Sequence, residues 1–76
     1  MVDTKLLDEK IKASGIKVSF LIKQLGLSPQ GFYKKKNGQT KWRGAEMYVV
    51  KDVLRLSELE AQKIFYPEST HEDVPR

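Results

Sequence analysis

The sequence predicts an all-α domain built from five short helices. Apolar residues recur at intervals of three and four along most of the chain, as one buried helix face requires. Capping residues and glycines separate these segments, and no stretch alternates apolar and polar residues as a half-buried strand would. With 76 residues, the chain is long enough for one domain.

The first two helices have clear ends. Asp3 is the expected N-cap of helix 1, and Gly15 suits the left-handed position that ends it. Gly26 closes helix 2 in the same way. The predicted apolar faces are Leu6, Leu7 and Ile11 in helix 1, and Val18, Leu21, Ile22 and Leu25 in helix 2.

A third helix is predicted from Pro29 to about Lys36. Ser28 is a good N-cap, and a proline at the first helical position costs no hydrogen bond. Leu27 and Phe32 have the spacing of a hydrophobic staple. The Asn-Gly pair at 37–38 ends the helix.

A fourth helix starts near Arg43, and a fifth follows an S-x-x-E capping box that begins at Ser57. Pro67 stops the fifth helix. We therefore expect a domain over residues 1–66 and a frayed, flexible tail over residues 67–76. The expected core faces are Met47, Val50, Val53 and Leu54 in helix 4, and Ala61, Ile64 and Phe65 in helix 5.

The charge is distributed unevenly. The formal net charge is +4, but no acid occurs from Lys10 to Ala45, whereas seven acids and four bases follow from Glu46 onward. Such a field attracts a polyanion to one side of a small domain. Chance clustering on a solvated surface is the alternative. The bases of the acid-free stretch are Lys10, Lys12, Lys17, Lys23, Lys34, Lys35, Lys36, Lys41 and Arg43.

The composition argues against several classes of protein. There is no cysteine, and the one histidine, His71, is expected to be a solvated residue of the tail. No Gly-rich phosphate loop or paired core carboxylates are seen, so we expect no enzyme, metal or cofactor. No apolar run is long enough for a membrane span, and the N-terminus lacks a signal-peptide pattern. We therefore expect a cytoplasmic protein.

Helix 3 has an unusual composition, because Phe32 is its only strong apolar anchor. The residues Gln30, Tyr33, Lys34 and Asn37 fall at i, i+3, i+4 and i+7, which makes a polar stripe along one face. Gln pairs with adenine, Lys reaches guanine, and Tyr offers a hydroxyl and a ring to bases in the major groove. An ordinary solvated helix is the alternative.

The three residues 26–28 join helices 2 and 3 as the turn of a helix-turn-helix would. In that arrangement the second helix enters the major groove, and the flanking residues contact phosphates. The base contacts are then Gln30, Tyr33, Lys34 and Asn37. The expected backbone contacts are Lys17, Ser28, Lys35, Lys36, Thr40, Lys41 and Arg43, and the core anchors are Leu21, Leu25, Phe32, Val50 and Leu54.

The stretch VSFLIKQLGLSPQGFYKKKNG, residues 18–38, resembles the helix-turn-helix of the Cro/phage-repressor (XRE-type) family. The later segments EMYVVKDVLRL and SELEAQKIF resemble short Cro-like regulators from phages of low-GC Gram-positive bacteria. The likeness covers about residues 4–66. It implies a compact lambda-repressor-like DNA-binding domain and a phage transcriptional regulator, associated with the host nucleoid. The matching positions are Leu21, Leu25, Gly26, Leu27, Ser28, Phe32 and Gly38.

The sequence departs from this family pattern at a few positions. Ile22 stands where alanine is frequent, Gly31 lies inside helix 3, and Lys35 and Lys36 replace apolar or acidic residues. A glycine inside a helix costs about 1 kcal/mol relative to alanine. Gly31 therefore suggests either close approach of a DNA backbone or contact with a partner.

Three kinds of partner remain open besides double-stranded DNA. Helix 5 is expected to mediate self-association through Leu59, Ile64, Phe65 and Tyr66, on the side opposite the DNA face. The same surface could instead bind a phage repressor protein, which would make the chain an antirepressor. Single-stranded RNA stacking on Tyr33 and Trp42 is a further alternative.

Overall fold

The computed structural model describes residues 2–68, and this part of the chain contains five α-helices and no β-strand. The predicted all-α class and the predicted helices are confirmed. Most of the predicted tail, including His71, lies outside the described residues. The helices are α1 (Thr4–Ser14), α2 (Val18–Leu25), α3 (Pro29–Lys36), α4 (Gly44–Val53) and α5 (Glu58–Phe65).

Three of the helices begin at the predicted side-chain caps. Asp3 Oδ1 accepts a backbone N–H of α1 at 3.0 Å, and Ser28 Oγ accepts one of α3 at 3.0 Å. Ser57 and Glu60 form the reciprocal capping box of α5, with bonds of 3.1 and 2.8 Å. Each such cap stabilises a helix by about 1 kcal/mol, so local sequence alone defines where these helices start.

Several helices end at residues with a left-handed backbone conformation. Gly26 has a φ of 70°, a conformation that glycine adopts without steric cost, and it ends α2 just before α3 begins. The end of α4 is different, because Arg55 is a non-glycine residue with a φ of 56°. No turn signal in the sequence predicts that conformation.

The core is one cluster of eleven buried apolar residues. It contains most of the predicted faces, and it also includes Trp42 and Leu56, which the helical spacing did not select. Six residues of the predicted apolar faces are only partly buried and pack against the cluster, namely Leu6, Val18, Leu25, Met47, Val53 and Ala61. The buried residues are Leu7, Ile11, Leu21, Ile22, Phe32, Trp42, Val50, Leu54, Leu56, Ile64 and Phe65.

The helices pack so that α3 lies at one side of the domain. Helix α2 contacts both α3 and α4, while α5 contacts α1 and α4. The first and last helices are also joined by polar contacts. The Asp3 N–H donates to the Ile64 carbonyl at 2.7 Å, and Lys10 Nζ lies 2.8 Å from Glu60 Oε2.

Neither a membrane span nor a metal site is found between residues 2 and 68. The longest helix, α1, has 11 residues, and none is both long and apolar enough to cross a bilayer. Over the same residues, no three acidic or histidine side chains are close enough together to hold a metal ion.

Candidate nucleic-acid interface

The outer face of α3 carries the four residues that were predicted to contact bases. Gln30, Tyr33, Lys34 and Asn37 are all exposed, and their spacing places them on one side of the helix. Phe32 is fully buried on the other side. The helix therefore presents hydrogen-bonding side chains to the exterior and one aromatic ring to the core.

Aromatic rings connect α3 to the rest of the core. Phe32 packs edge-on against Trp42, with ring centroids 6.3 Å apart, and Trp42 packs in the same way on Phe65 at 5.3 Å. Because Trp42 is only 8% exposed, it offers no surface on which a base could stack. The stacking alternative for single-stranded RNA is therefore wrong for Trp42, although Tyr33 remains 44% exposed.

The last turn of α3 ends in a compact hydrogen-bonded motif. Gly38, with a φ of 83°, donates its N–H to the Lys35 carbonyl at 3.1 Å, and Gln39 donates to the Lys34 carbonyl at 2.8 Å. This pattern is that of a Schellman motif, which satisfies carbonyls left unpaired at a helix end. The predicted end at residues 37–38 is confirmed.

Two side chains from elsewhere in the chain complete this end of α3. Trp42 Nε1 donates to the Lys35 carbonyl at 3.0 Å, and Thr4 Oγ1 donates to the Lys36 carbonyl at 2.6 Å. Sequence reasoning missed both contacts, because only the folded chain brings these donors to a helix end. As a result, α3 is fixed at its N-terminus by Ser28 and at its C-terminus by α1 and the following loop.

Four cationic side chains near this face are exposed, namely Lys17, Lys34, Lys41 and Arg43. The ammonium groups of the three lysines form no hydrogen bond or ion pair with other residues in the range 2–68, whereas the charge of Arg43 helps to lower the pKa of Glu46. Lys17 precedes α2, whose N-terminus has no side-chain cap. These charges are available to an external anion.

Two further residues predicted to contact the DNA backbone are also exposed. Thr40 lies in the loop after α3, and Ser28 precedes the helix. The Ser28 hydroxyl already accepts the Gly31 N–H. A Cβ added to Gly31 would lie 3.2 Å from that hydroxyl oxygen, so the glycine relieves crowding at the cap.

Lys35 and Lys36 are placed differently from the other cations. Their side chains are only 13% and 15% exposed, and each forms an ion pair within the domain. Lys35 Nζ lies 3.1 Å from Glu46 Oε1, and Lys36 Nζ lies 2.9 Å from Asp8 Oδ1. Neither amino group points freely into solvent, as a simple phosphate contact would require.

Glu46 has a lowered pKa. Its partial burial alone would raise the pKa, but hydrogen bonds from the Arg43 N–H and the Lys35 ammonium outweigh that effect. The net result is a pKa below the usual 4.5. Glu46 is therefore ionised near neutral pH, where it holds both the start of α4 and the side chain of Lys35.

The apolar surface predicted on helix 5 is smaller than expected. Ile64 and Phe65 are buried in the domain's own core, whereas Leu59 and Tyr66 are each 50% exposed. Tyr48 of α4, at 67% exposed, lines a groove with Tyr66. The prediction that Ile64 and Phe65 mediate self-association is therefore wrong, because both residues already pack inside one molecule.

The position of this surface also differs from the prediction. Tyr66 lines a groove of about 420 Å³ together with Thr40 and Lys41. The exposed end of α5 therefore lies beside the loop that follows α3, not on the opposite side of the domain. A second groove, between α4 and α5, runs past Tyr48, Gln62 and Tyr66.

Comparison with known proteins found no family model, no curated protein and no solved structure that matches this chain. The likeness of residues 18–38 to a helix-turn-helix therefore depends on the residues themselves.

Proposed function

We propose that this chain is a transcriptional regulator of the Cro-like phage type, which binds operator DNA. In this proposal α2 and α3 form a helix-turn-helix, and α3 lies in the major groove. The observation that carries the proposal is the two-sided character of α3. It buries a single ring, is fixed at both ends, and exposes four side chains suited to base edges.

The base contacts in this proposal are made by Gln30, Tyr33, Lys34 and Asn37. The side-chain amide of Gln30 suits a bidentate contact with adenine, and the Lys34 ammonium suits the O6 and N7 atoms of guanine. The ring of Tyr33 is held by an edge-on contact with Phe32 at 5.1 Å. A side chain that is already ordered loses less entropy on binding, which favours selective recognition.

The phosphate contacts come from residues that flank α3. Lys17, Lys41 and Arg43 supply charge, while Ser28 and Thr40 lie at the exposed ends of the helix. Such contacts position a protein on the duplex and supply affinity for any sequence. A DNA-binding role of this kind would place the protein in the bacterial cytoplasm, on the nucleoid.

Self-association would complete a regulator that reads a two-fold operator. Leu59 of α5, Tyr66 at the end of this helix, and Tyr48 next to Tyr66 would contact a second copy and place two α3 helices at half-sites about 34 Å apart. Sedimentation of the free protein at micromolar concentration tests this step. A dimer supports it, whereas a monomer that also binds operator DNA as a monomer contradicts it.

The second candidate function is an antirepressor, and the same exposed apolar surface favours it. Tyr48, Leu59 and Tyr66 would then bind a phage repressor protein and block its contact with DNA. A gel shift distinguishes the two functions. A regulator shifts the DNA by itself, whereas an antirepressor alters only the shift produced by the repressor.

Fluorescence anisotropy tests the main proposal. The purified protein is titrated into a labelled duplex from the region flanking its own gene, and into a shuffled duplex of the same composition. We expect preference for the native duplex by a factor of about 10³ or more, as is typical of specific regulators. Equal affinity for both duplexes at every salt concentration would contradict sequence-specific regulation through this region.

A further inference from the structure

Three consecutive lysines of α3 differ sharply in what surrounds them. The Lys34 side chain is exposed and has no polar partner among residues 2–68. Lys35 and Lys36 are largely covered, and each is paired with a carboxylate. A run that reads as one basic patch in the sequence therefore contains one available charge and two that are already neutralised.

Lys36 is the residue by which α1 holds the end of α3. Its Nζ lies 2.9 Å from Asp8 Oδ1, and its carbonyl accepts the hydroxyl of Thr4 at 2.6 Å. The same Nζ lies 5.5 Å from the centre of the Tyr33 ring, within the range of a cation–π contact. Backbone, charge and ring contacts therefore converge on one lysine.

Lys35 links the end of α3 to the start of α4. Its Nζ donates to the Lys41 carbonyl at 2.8 Å and lies 3.1 Å from Glu46 Oε1. The Glu46 carboxylate also accepts the Arg43 N–H at 2.8 Å, which fixes its position. The ammonium of Lys35 is thus held between the loop after α3 and the first turn of α4.

We infer that Asp8 and Glu46 withhold Lys36 and Lys35 from DNA, and that the two lysines are positioning residues for α3. The inference rests on the proposed DNA-binding function and revises the set of phosphate contacts predicted from the sequence. Each phosphate contact adds affinity for every sequence alike. Neutralising two charges inside the domain therefore limits non-specific binding while it fixes the orientation of the base-reading face.

The slope of log affinity against log salt tests this inference, because each phosphate contact contributes about 0.9 to that slope. Lys41→Gln should lower the slope by about 0.9. The loss of affinity between roughly 50 and 200 mM salt should then be about 3.5-fold smaller than for the unmodified protein. Lys36→Gln should leave the slope equal to that of the charge-matched control Lys63→Gln on α5. Asp8→Asn should raise the slope, because it releases Lys36.

The affinity of Lys36→Gln is expected to fall at all salt concentrations, since α3 loses a tie to α1. Lys36→Arg keeps the charge beside Asp8 and should restore much of that affinity. A Lys36→Gln slope that falls as far as that of Lys41→Gln would overturn the inference. So would an Asp8→Asn slope identical to that of the unmodified protein.

A thermal unfolding cycle separates this inference from the proposed function. If the ion pair anchors α3, the Tm losses of Asp8→Asn and Lys36→Gln should sum to more than the loss of the double variant. Additive losses would refute the anchoring role even if the protein binds DNA. Absence of any duplex binding, with non-additive losses, would refute the DNA function and leave the anchoring role supported.

Discussion

Helices α3 and α5 both start at a serine cap but are held in the domain differently. Each has eight residues and follows a serine whose hydroxyl accepts the N–H three residues on. Helix α5 buries Ile64 and Phe65, whereas α3 buries Phe32 alone. A buried side chain of this size contributes about 1.5–3 kcal/mol, so apolar burial stabilises α5 roughly twice as much as α3.

The difference shows how a short helix can be rigid without a broad apolar face. Helix α3 has less stabilisation from apolar burial than α5. Hydrogen bonds from Thr4 and Trp42 to its last carbonyls compensate for part of this difference. An eight-residue helix is not stable by itself in water, so it needs such contacts. These contacts involve only the C-terminal end of α3 and the ring of Phe32. The whole outer face of α3 is therefore left for a partner.

Removal of the only apolar anchor of α3 should have the largest effect. Phe32→Ala is expected to lower the free energy of unfolding by about 3–5 kcal/mol, the usual cost of truncating a buried Phe. Urea denaturation followed by circular dichroism measures this loss. A variant with an unchanged midpoint but no DNA binding would contradict the account, because Phe32 would then act at the surface.

Two lysines on the proposed interface should separate base contacts from phosphate contacts. Lys34→Ala should reduce specific binding by about 1–3 kcal/mol and relax the preference at one base position. Lys41→Ala should weaken binding to all duplexes alike and lower the salt slope by about 1. Anisotropy titrations on native and single-substitution duplexes measure both effects. If the two variants change affinity and salt slope identically, the assignment of Lys34 to bases and Lys41 to phosphates is wrong.

The two serine caps provide a matched comparison of α3 and α5. Ser28→Ala and Ser57→Ala should each lower the free energy of unfolding by about 1 kcal/mol, since each removes one cap. Only Ser28→Ala should also weaken DNA binding, because α3 alone is proposed to enter the groove. Equal losses of DNA affinity in the two variants would argue against that asymmetry.

The smallest expected effect is the pH dependence of the α1–α5 contact. The ammonium of Lys10 and the N–H of Ser57 lower the pKa of Glu60 from 4.5 to about 2. Because the pKa of Glu60 is lower in the folded state, its ionised carboxylate stabilises the fold above about pH 4.5. This stabilisation is lost as the pH falls toward 2.

Thermal unfolding at pH 7 and near pH 3 measures this dependence. Glu60→Gln and Lys10→Gln should each have a lower Tm than the unmodified protein at pH 7. This difference in Tm should become smaller at acid pH. A difference in Tm that is the same at both pH values would show that the Lys10–Glu60 pair does not stabilise the fold.

The helices were predictable because their signals are local. Asp3, Ser28 and Ser57 cap the helix that follows each of them, and Gly26 supplies the left-handed turn. These residues act within three or four positions of themselves, so the order of the chain is enough to locate them. The fully buried Phe32 was predictable in the same way, as the one apolar residue of a short helix.

The contacts that hold α3 in place could not be predicted, since they join distant parts of the chain. Trp42 looked like a surface aromatic beside lysines, but its indole fills the core and caps a carbonyl. Lys35 and Lys36 were both predicted to contact phosphates, yet Glu46 and Asp8 pair with them only after folding. Sequence spacing carries no information about which acid a lysine meets across helices.

Titration of duplex DNA into ¹⁵N-labelled protein, followed by NMR, tests the central claim most directly. We predict that the amide signals of residues 28–43 and the start of α2 shift most, with smaller changes in the rest of the domain. The result that would contradict it is a set of shifts centred on α4 and α5, or no shifts at all at low salt.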